Sequence, residues 1–198
     1  MIEVVTVTDA AIAVRTARRS RGFTQEQLAQ RTGLDQARVS RAERAQENPR
    51  FDTVKRLLAG TGHRLYAAPT TRDDAATIAV QIRESLSQRD LQSALRNLIQ
   101  LNDNLVAERG IVRGVLAVAE PVPTGRRLWD AAIAALVAWR LNEAGVPLPD
   151  WVDSPTRKLD RARFLRVDAA DPIPTANDIP SEFSEHGVLA WRDTFASV

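Results

Sequence analysis

The polar residues of this chain that could do chemistry are concentrated between positions 24 and 44. Val39 and Ala42, spaced i and i+3, can form the inner face of a short helix. The outward face then carries small, amide and cationic side chains, namely Gln36, Ala37, Arg38, Ser40 and Arg41. Gln, Arg and Ser near a helix N-terminus can hydrogen-bond to base edges in the DNA major groove. The pattern therefore predicts a surface that reads DNA sequence.

Two short helices joined by a tight turn would hold these side chains in place. Thr24 can cap the first helix, and Gln27 at the third helical position can close a capping box. Gly33 falls where a helix ends and a positive φ is needed, which glycine adopts without steric cost. Leu34 can fill the gap between the helices, and Asp35 can cap the second one. We therefore expect the second helix to span residues 35–44.

A longer stretch around this pair, Arg15 to Leu65, resembles the Cro/CI-type (Xre) helix-turn-helix domain. The similarity includes the G-x-T-Q-x-x-L-A opening, the Gly33–Leu34 turn, the V-S-R-x-E helix, and N-P-x-x-x-T-V-x-R-L-L-A-x-x-G after it. The resemblance implies a DNA-binding repressor domain that is usually dimeric. Residues carried over as DNA contacts are Thr24, Gln25, Gln36, Ala37, Arg38, Ser40, Arg41 and Arg44.

Within that set the resemblance implies different roles. Gln25 matches a position that contacts a phosphate or the edge of the site, and Arg41 and Arg44 are expected to position the DNA backbone. Gln36, Arg38 and Ser40 are expected to face bases. Ala37 departs from the larger polar residues common at its position and can offer only apolar contact, for example to a thymine methyl group.

Composition and charge divide the 198 residues into a basic head and an acidic body. Residues 1–68 carry 12 Lys/Arg and 7 Asp/Glu, whereas residues 69–198 carry 15 and 18. The division predicts a DNA-binding domain at 1–68 and a partner-binding or oligomerisation domain at 69–198. With no Cys and only two His, 123 positions apart, we expect no metal or other cofactor. Without a signal pattern or a long apolar run, we expect a cytoplasmic protein that contacts no membrane.

The rest of the head predicts a short β element around the helices. Ile2–Thr8 is rich in β-branched residues, and His63–Tyr66 alternates polar with apolar residues, so both are predicted strands that could pair. Asp9 is the predicted N-cap of the first helix, on which Arg15, Arg18, Arg19 and Arg21 form a basic face. A further helix would bury Phe51, Val54, Leu57 and Leu58.

The C-terminal half reads as helices followed by an irregular, proline-rich tail. Helices are predicted from Asp73 to about Ser87, from Asp90 onward, and over Leu128–Ala144. The apolar stripes, with Leu91, Leu95, Leu98, Ile99 and Leu105 on one helix and Ile111, Val112, Val115 and Leu116 beyond it, are predicted to be core. The predicted fold class is mostly α: a five-helix-type Cro/CI domain with a short β element, followed by an α-helical C-terminal domain.

The C-terminal half is also similar, more weakly, to the C-terminal region of actinobacterial Xre-type proteins encoded beside nucleotidyltransferase-like toxins. The similarity lies in the WDA, G-V-P-x-P-x-W and H-G-V-L segments and their order. It implies an antitoxin: a homodimer that binds double-stranded operator DNA, represses its own operon, and neutralises a cognate, nucleotidyltransferase-like toxin through this half.

Two other functions stay open at the level of sequence. One is a stand-alone Xre-family regulator whose C-terminal half binds a ligand or oligomerises. The other is an enzyme with a DNA-binding head, for which the candidate carboxylates are Asp130, Asp150, Asp153, Asp160 and Asp168. No phosphate-binding loop, nucleophile elbow or zinc-protease motif occurs, so we predict no catalytic residues and no enzyme.

Overall fold

The computed structural model describes residues 7–65, 68–168 and 170–196, with the backbone alone described for residues 7–9. The chain divides into two compact units, residues 1–68 and residues 69–198. The described residues form nine α-helices and a single pair of two-residue strands. The predicted fold class, mostly helical with little strand, is confirmed.

The first unit is a small bundle of helices around one core. Its helices are α1 (Val7–Arg19), α2 (Gln25–Thr32), α3 (Gln36–Glu43) and α4 (Phe51–Gly60). Val14, Leu28, Val39 and Leu57, one from each helix, are at most 1% exposed. Because each helix contributes one apolar stripe to this core, the polar faces of α2 and α3 are left outside.

Four expectations for the first unit are wrong: the strand at residues 7–8, the Asp9 N-cap, the strand from His63 and the burial of Phe51. Helix α1 already includes Val7 and Thr8, so Asp9 lies inside it and is not its N-cap, and the remainder of the expected strand at 2–6 lies outside the described residues. Residues 63–65 form no strand, and Tyr66 is not described. The His63 amide instead donates to the Leu58 carbonyl (2.9 Å) to close the end of α4. Phe51, at the start of α4, is 63% exposed because no preceding helical turn covers it.

The second unit is built from four long or medium helices and an irregular tail. Its elements are α5 (Ala75–Ser87), α6 (Leu91–Ala107), α7 (Gly110–Val118), α8 (Arg127–Glu143), β1 (Arg163–Phe164), α9 (Ser181–Glu185) and β2 (Val188–Leu189). Asp74 and Asp90 cap α5 and α6 by accepting backbone hydrogen bonds from Thr77 (2.7 Å) and Ser93 (2.9 Å). Strands β1 and β2 pair in parallel, with Arg163 opposite Val188.

Helix α8 is the centre of the second unit. Every residue from Trp129 to Leu141 on it is buried. Its many alanines let neighbouring elements approach from all sides, so its sequence shows little of the one-sided pattern of a surface helix. Trp139 is 8% exposed and meets Phe183 and Phe195 edge-on, at ring-centroid distances of 6.1 and 6.3 Å. These two rings come from the tail, which is thereby fixed to α8.

The predicted burial of apolar residues in the second unit is partly wrong at helix α7. Ile111 is 84% exposed, Val115 is 40% exposed and Val118 is 58% exposed, whereas Leu116 and Ala117 are buried. The predicted burial of Ile111 and Val115 is therefore wrong, as is that of Leu91, which is 41% exposed at the start of α6. Only one side of α7 packs against the core, and the apolar residues on its other side face outward.

Candidate nucleic-acid interface

The turn between α2 and α3 is fixed by local hydrogen bonds at both helix starts. The Thr24 hydroxyl accepts from the Gln27 amide (3.1 Å), and the Gln27 side chain accepts from the Thr24 amide (2.8 Å). Gly33 ends α2 with φ of 63°. The Asp35 carboxylate then accepts from the Arg38 amide (2.7 Å) and caps α3. The predicted capping box, left-handed glycine and second cap are all confirmed, and together they fix the direction of α3.

The side chains predicted to contact DNA lie mainly on the exposed side of this pair. Val39 and Ala42 are buried, at 0% and 1% exposure, so the opposite side of α3 faces outward. That outward side carries Gln36, Ala37, Arg38, Arg41 and Arg44, which are exposed, and Ser40, which is half-buried. The structure brings these residues together on one helix face, with Thr24 and Gln25 beside its N-terminal end.

A chain of hydrogen bonds connects the start of α3 to its last residue through α2. The side-chain nitrogen Nε2 of Gln36 donates to Gln25 Oε1 (3.1 Å), and the side-chain nitrogen Nε2 of Gln25 donates to Glu43 Oε2 (2.9 Å). Glu43 is only 3% exposed. Two polar side chains at the predicted DNA surface are therefore oriented by a buried carboxylate, which reduces the conformational freedom they would lose on binding.

Glu43 is neutralised by Arg18 from α1. Arg18 Nε and Nη2 donate to the two carboxylate oxygens of Glu43 at 2.6 and 2.9 Å, and Nη1 donates to the Phe23 carbonyl at 2.6 Å. Arg18 is therefore an internal partner of α3 and takes no part in the predicted basic face of α1. Glu43 was not predicted to be a functional residue, although its position one residue after Ala42 places it at the edge of the inner face.

The end of α3 turns back on itself and adds an ion pair to the surface. Ala45 has φ of 55°, and the Gln46 amide donates to the Arg41 carbonyl (3.0 Å). The chain then brings Glu47 Oε2 to 3.1 Å from Arg41 Nε. Arg50, which is exposed just before α4, is a further cation in the loop after this turn, and it was not among the predicted DNA contacts. No motif marks either residue, because both lie in the irregular loop.

Ala45→Gly should stabilise the first unit by about 0.5–1 kcal/mol. An L-residue with a side chain pays a steric cost in the left-handed region that glycine avoids, so the C-terminal turn of α3 would lose strain. Urea unfolding followed by far-UV circular dichroism measures the change. Ala13→Gly within α1 is the matched control and should destabilise by a similar amount or more, because there glycine adds flexibility and removes a half-buried methyl group. A lower stability of Ala45→Gly would contradict the strain at this turn.

Four of the five candidate catalytic carboxylates have structural partners, among them Asp160, which lies 3.5 Å from Arg127. Asp130 accepts from the Thr124 amide (2.7 Å), Asp153 pairs with Lys158 (2.9 Å), and Asp168 accepts from the Ala170 amide (2.8 Å). The buried His186 ring has both nitrogens near carbonyl oxygens, of Glu182 at 2.7 Å and Val152 at 3.2 Å. Each of these groups therefore holds loops or turns of the second unit together.

Two features that the described part of the chain does not have are a metal site and a membrane span. No group of three or more His, Asp or Glu side chains there is placed to hold a metal ion. No helix among the described residues is long and apolar enough to cross a membrane.

Comparison with known proteins identifies the class of the first unit. Residues 14–62 match the helix-turn-helix family model and form a helix-turn-helix domain of the Xre, or Cro/CI, type. This domain supports a DNA-binding transcription regulator. The match ends before the second unit begins, and neither a curated protein nor a solved structure matches the chain.

Proposed function

We propose that this chain is a dimeric, sequence-specific repressor that binds operator DNA through α3. Helix α3 would enter the major groove, with Gln36, Arg38 and Ser40 facing bases and Ala37 placed for apolar contact with a thymine methyl group. The proposed backbone contacts are Thr24, Gln25, Arg41 and Arg44, with the N-terminal end of α2 near a phosphate.

The observation that carries this proposal is the preorganised outward face of α3. Its start is capped by Asp35, and Gln36 and Gln25 are connected through hydrogen bonds to the buried Glu43. Arg38 makes no ion pair in the described part of the chain, so its guanidinium is free to donate two hydrogen bonds, for example to the O6 and N7 atoms of guanine. The excess of cations in residues 1–68 supports the same role, because it favours approach to DNA phosphates.

Footprinting tests whether the chain binds its operator as a dimer. The full chain would be bound to the DNA upstream of its own reading frame and the protected bases mapped. We expect two protected half-sites whose centres lie about 10 base pairs, or one helical turn, apart. Protection of a single half-site at saturating protein concentration would contradict binding as a dimer and indicate binding as a monomer.

We further propose that the second unit binds a protein partner, with a cognate, nucleotidyltransferase-like toxin as the partner that the C-terminal resemblance implies. The surface that supports a protein partner is the exposed side of α7, where Ile111, Val115 and Val118 recur at i, i+4 and i+7. An open groove of about 420 Å³ beside them is lined by Gly114, Gly145, Val146 and Pro147 among others. Contiguous exposed apolar surface of this kind is typical of a protein interface.

Ile111→Asp should weaken the complex with the neighbouring gene product by at least tenfold. The substitution would place a charge at the most exposed apolar position of α7, where a partner would have to desolvate it. Titration calorimetry with the two purified proteins gives the affinity. Ile173→Asp is the matched control, because Ile173 is 68% exposed and belongs to the irregular segment, outside α7. Equal affinities for both variants would exclude α7 as the docking surface.

The alternative is a stand-alone regulator whose second unit binds a ligand or only oligomerises. The α7 groove is compatible with an apolar ligand as well as a protein, so it does not separate the two functions by itself. The neighbouring reading frame separates them: a toxin-like product favours the antitoxin, and the lack of one favours the stand-alone regulator. That the chain is not an enzyme stays a prediction, and turnover by the purified protein would overturn it.

A further inference from the structure

An ion pair on the proposed DNA surface joins α3 to the loop that follows it in the chain. Arg41 Nε lies 3.1 Å from Glu47 Oε2, and the two side chains are 48% and 30% exposed. Arg41 belongs to the last turn of α3, and Glu47 follows the left-handed turn at Ala45. The backbone of that turn is closed by hydrogen bonds from Ala45 and Gln46 to carbonyls of α3. The backbone conformation of the loop therefore places the Glu47 carboxylate beside Arg41.

The Glu47 carboxylate belongs to a segment in which the exposed charges are otherwise positive. Arg44 and Arg50 are exposed on either side of Glu47 in sequence, and neither is ion-paired within the described residues. Glu47 thus pairs with Arg41 and lies in the chain between two exposed arginines, at a surface that would approach DNA phosphates. A carboxylate there reduces attraction to DNA and competes directly with a phosphate for the Arg41 guanidinium.

We propose that Glu47 controls when Arg41 contacts DNA: it withholds Arg41 from nonspecific phosphates and releases it at the operator. The inference rests on the proposed DNA-binding function of α3. At a nonspecific site Arg41 stays paired with Glu47 and releases no counterion from DNA. At the operator, the full set of α3 contacts holds the helix deep enough in the groove for Arg41 to exchange the carboxylate for a DNA partner. Glu47 therefore lowers both affinities, because the nonspecific complex forgoes the Arg41 contact and the operator complex loses the ion pair. Only operator binding then gains the Arg41 contact in its salt dependence.

The number of phosphate contacts is directly measurable, which makes the inference testable. Each contact adds about 0.9 to the slope of log affinity against log salt concentration on duplex DNA. Glu47→Gln removes the competing charge while keeping the size of the side chain. On scrambled DNA we expect this variant to bind about threefold to fivefold more tightly at low salt, the range set by an exposed ion pair, with a slope steeper by about 0.9. On the operator we expect an unchanged slope, because Arg41 already contacts DNA there.

Two further variants separate release of Arg41 from general loss of negative charge. Asp52→Asn makes the same charge change on exposed α4, where the carboxylate has no ion-pair partner in the described structure, and should leave both slopes unchanged. In an Arg41→Gln background, Glu47→Gln should no longer steepen the slope on scrambled DNA, because the released cation is missing. Circular dichroism of each variant checks that the first unit is folded.

The measurements distinguish failure of this inference from failure of the proposed function. An unchanged slope for Glu47→Gln on scrambled DNA would overturn the role of Glu47, and so would the same steepening in the Arg41→Gln background. A wild-type chain with equal affinity for the operator and scrambled DNA would instead contradict sequence-specific binding. In that case the slopes on scrambled DNA still decide whether Glu47 withholds Arg41.

Discussion

Glu43→Ala should destabilise the first unit by about 3–5 kcal/mol, the largest stability effect expected from a single polar substitution there. The Glu43 side chain is 2% exposed and that of Arg18 is 13% exposed, with hydrogen bonds of 2.6 and 2.9 Å between them. Removal of the carboxylate would leave the Arg18 guanidinium uncompensated in a largely dry site. It would also release Gln25 from its acceptor.

The distribution of tryptophan allows the two units to be observed separately. Trp129, Trp139, Trp151 and Trp191, the four in the chain, all lie in the second unit. Tryptophan fluorescence therefore reports the unfolding of that unit in urea, whereas far-UV circular dichroism reports helices in both. We expect Glu43→Ala to move part of the dichroism transition to lower urea and to leave the fluorescence transition in place.

Two variants test whether the cause is the unpaired charge. Glu26→Ala removes an exposed acid from the first turn of α2 and should cost less than about 1 kcal/mol. Replacing both partners, in Arg18→Met combined with Glu43→Leu, should recover much of the stability, since apolar side chains of similar size often replace a buried ion pair without loss. If the double variant were as unstable as Glu43→Ala, lost packing and not the uncompensated charge would be the cause.

Arg38→Ala should weaken operator binding by about 1–3 kcal/mol if Arg38 contacts guanine. Arg38 is the third residue of α3 and is exposed, and its backbone amide already donates to the Asp35 cap. Its loss removes a base contact, so affinity for scrambled DNA should change much less than affinity for the operator. Fluorescence anisotropy on both DNAs, at one fixed salt concentration, gives the two differences.

The control for Arg38 removes the same charge from the second unit. Arg83→Ala lies on the exposed side of α5 and should leave operator preference unchanged. An Arg38→Ala variant with wild-type affinity for a confirmed operator would remove Arg38 from the reading surface. Equal losses on operator and scrambled DNA would make Arg38 a phosphate contact instead.

The parts of the first unit that sequence predicted well are those set by neighbours in the chain. Thr24 with Gln27, Gly33, and Asp35 with Arg38 act over at most three residues, so residue types alone indicate the caps and the turn. Arg18 and Glu43 are 25 positions apart, and their pairing depends on how α1 packs against α3. The spacing that put Arg18 on an outward basic face contained no information about that packing.

In the second unit the errors have the same origin. The apolar periodicity of α7 correctly indicates a helix, but periodicity cannot say whether a second layer covers its far side, and Ile111 and Val118 are exposed. The parallel pairing of Arg163 with Val188 brings together segments 25 residues apart that show no strand-like alternation. In helix α8 the alanine content predicts the helix correctly. Its burial on all sides depends on the surrounding elements, which its own sequence does not show.

Sequence-specific DNA binding by α3 is the central claim, and one titration tests it most directly. Fluorescence anisotropy of the full chain on its own upstream DNA, against scrambled DNA of the same length, would be measured over a series of salt concentrations. We expect the upstream DNA to bind at least ~10³-fold more tightly at physiological salt, with both affinities falling as salt rises. Equal affinities and equal salt slopes on the two DNAs would contradict the claim and leave only electrostatic binding by a basic surface.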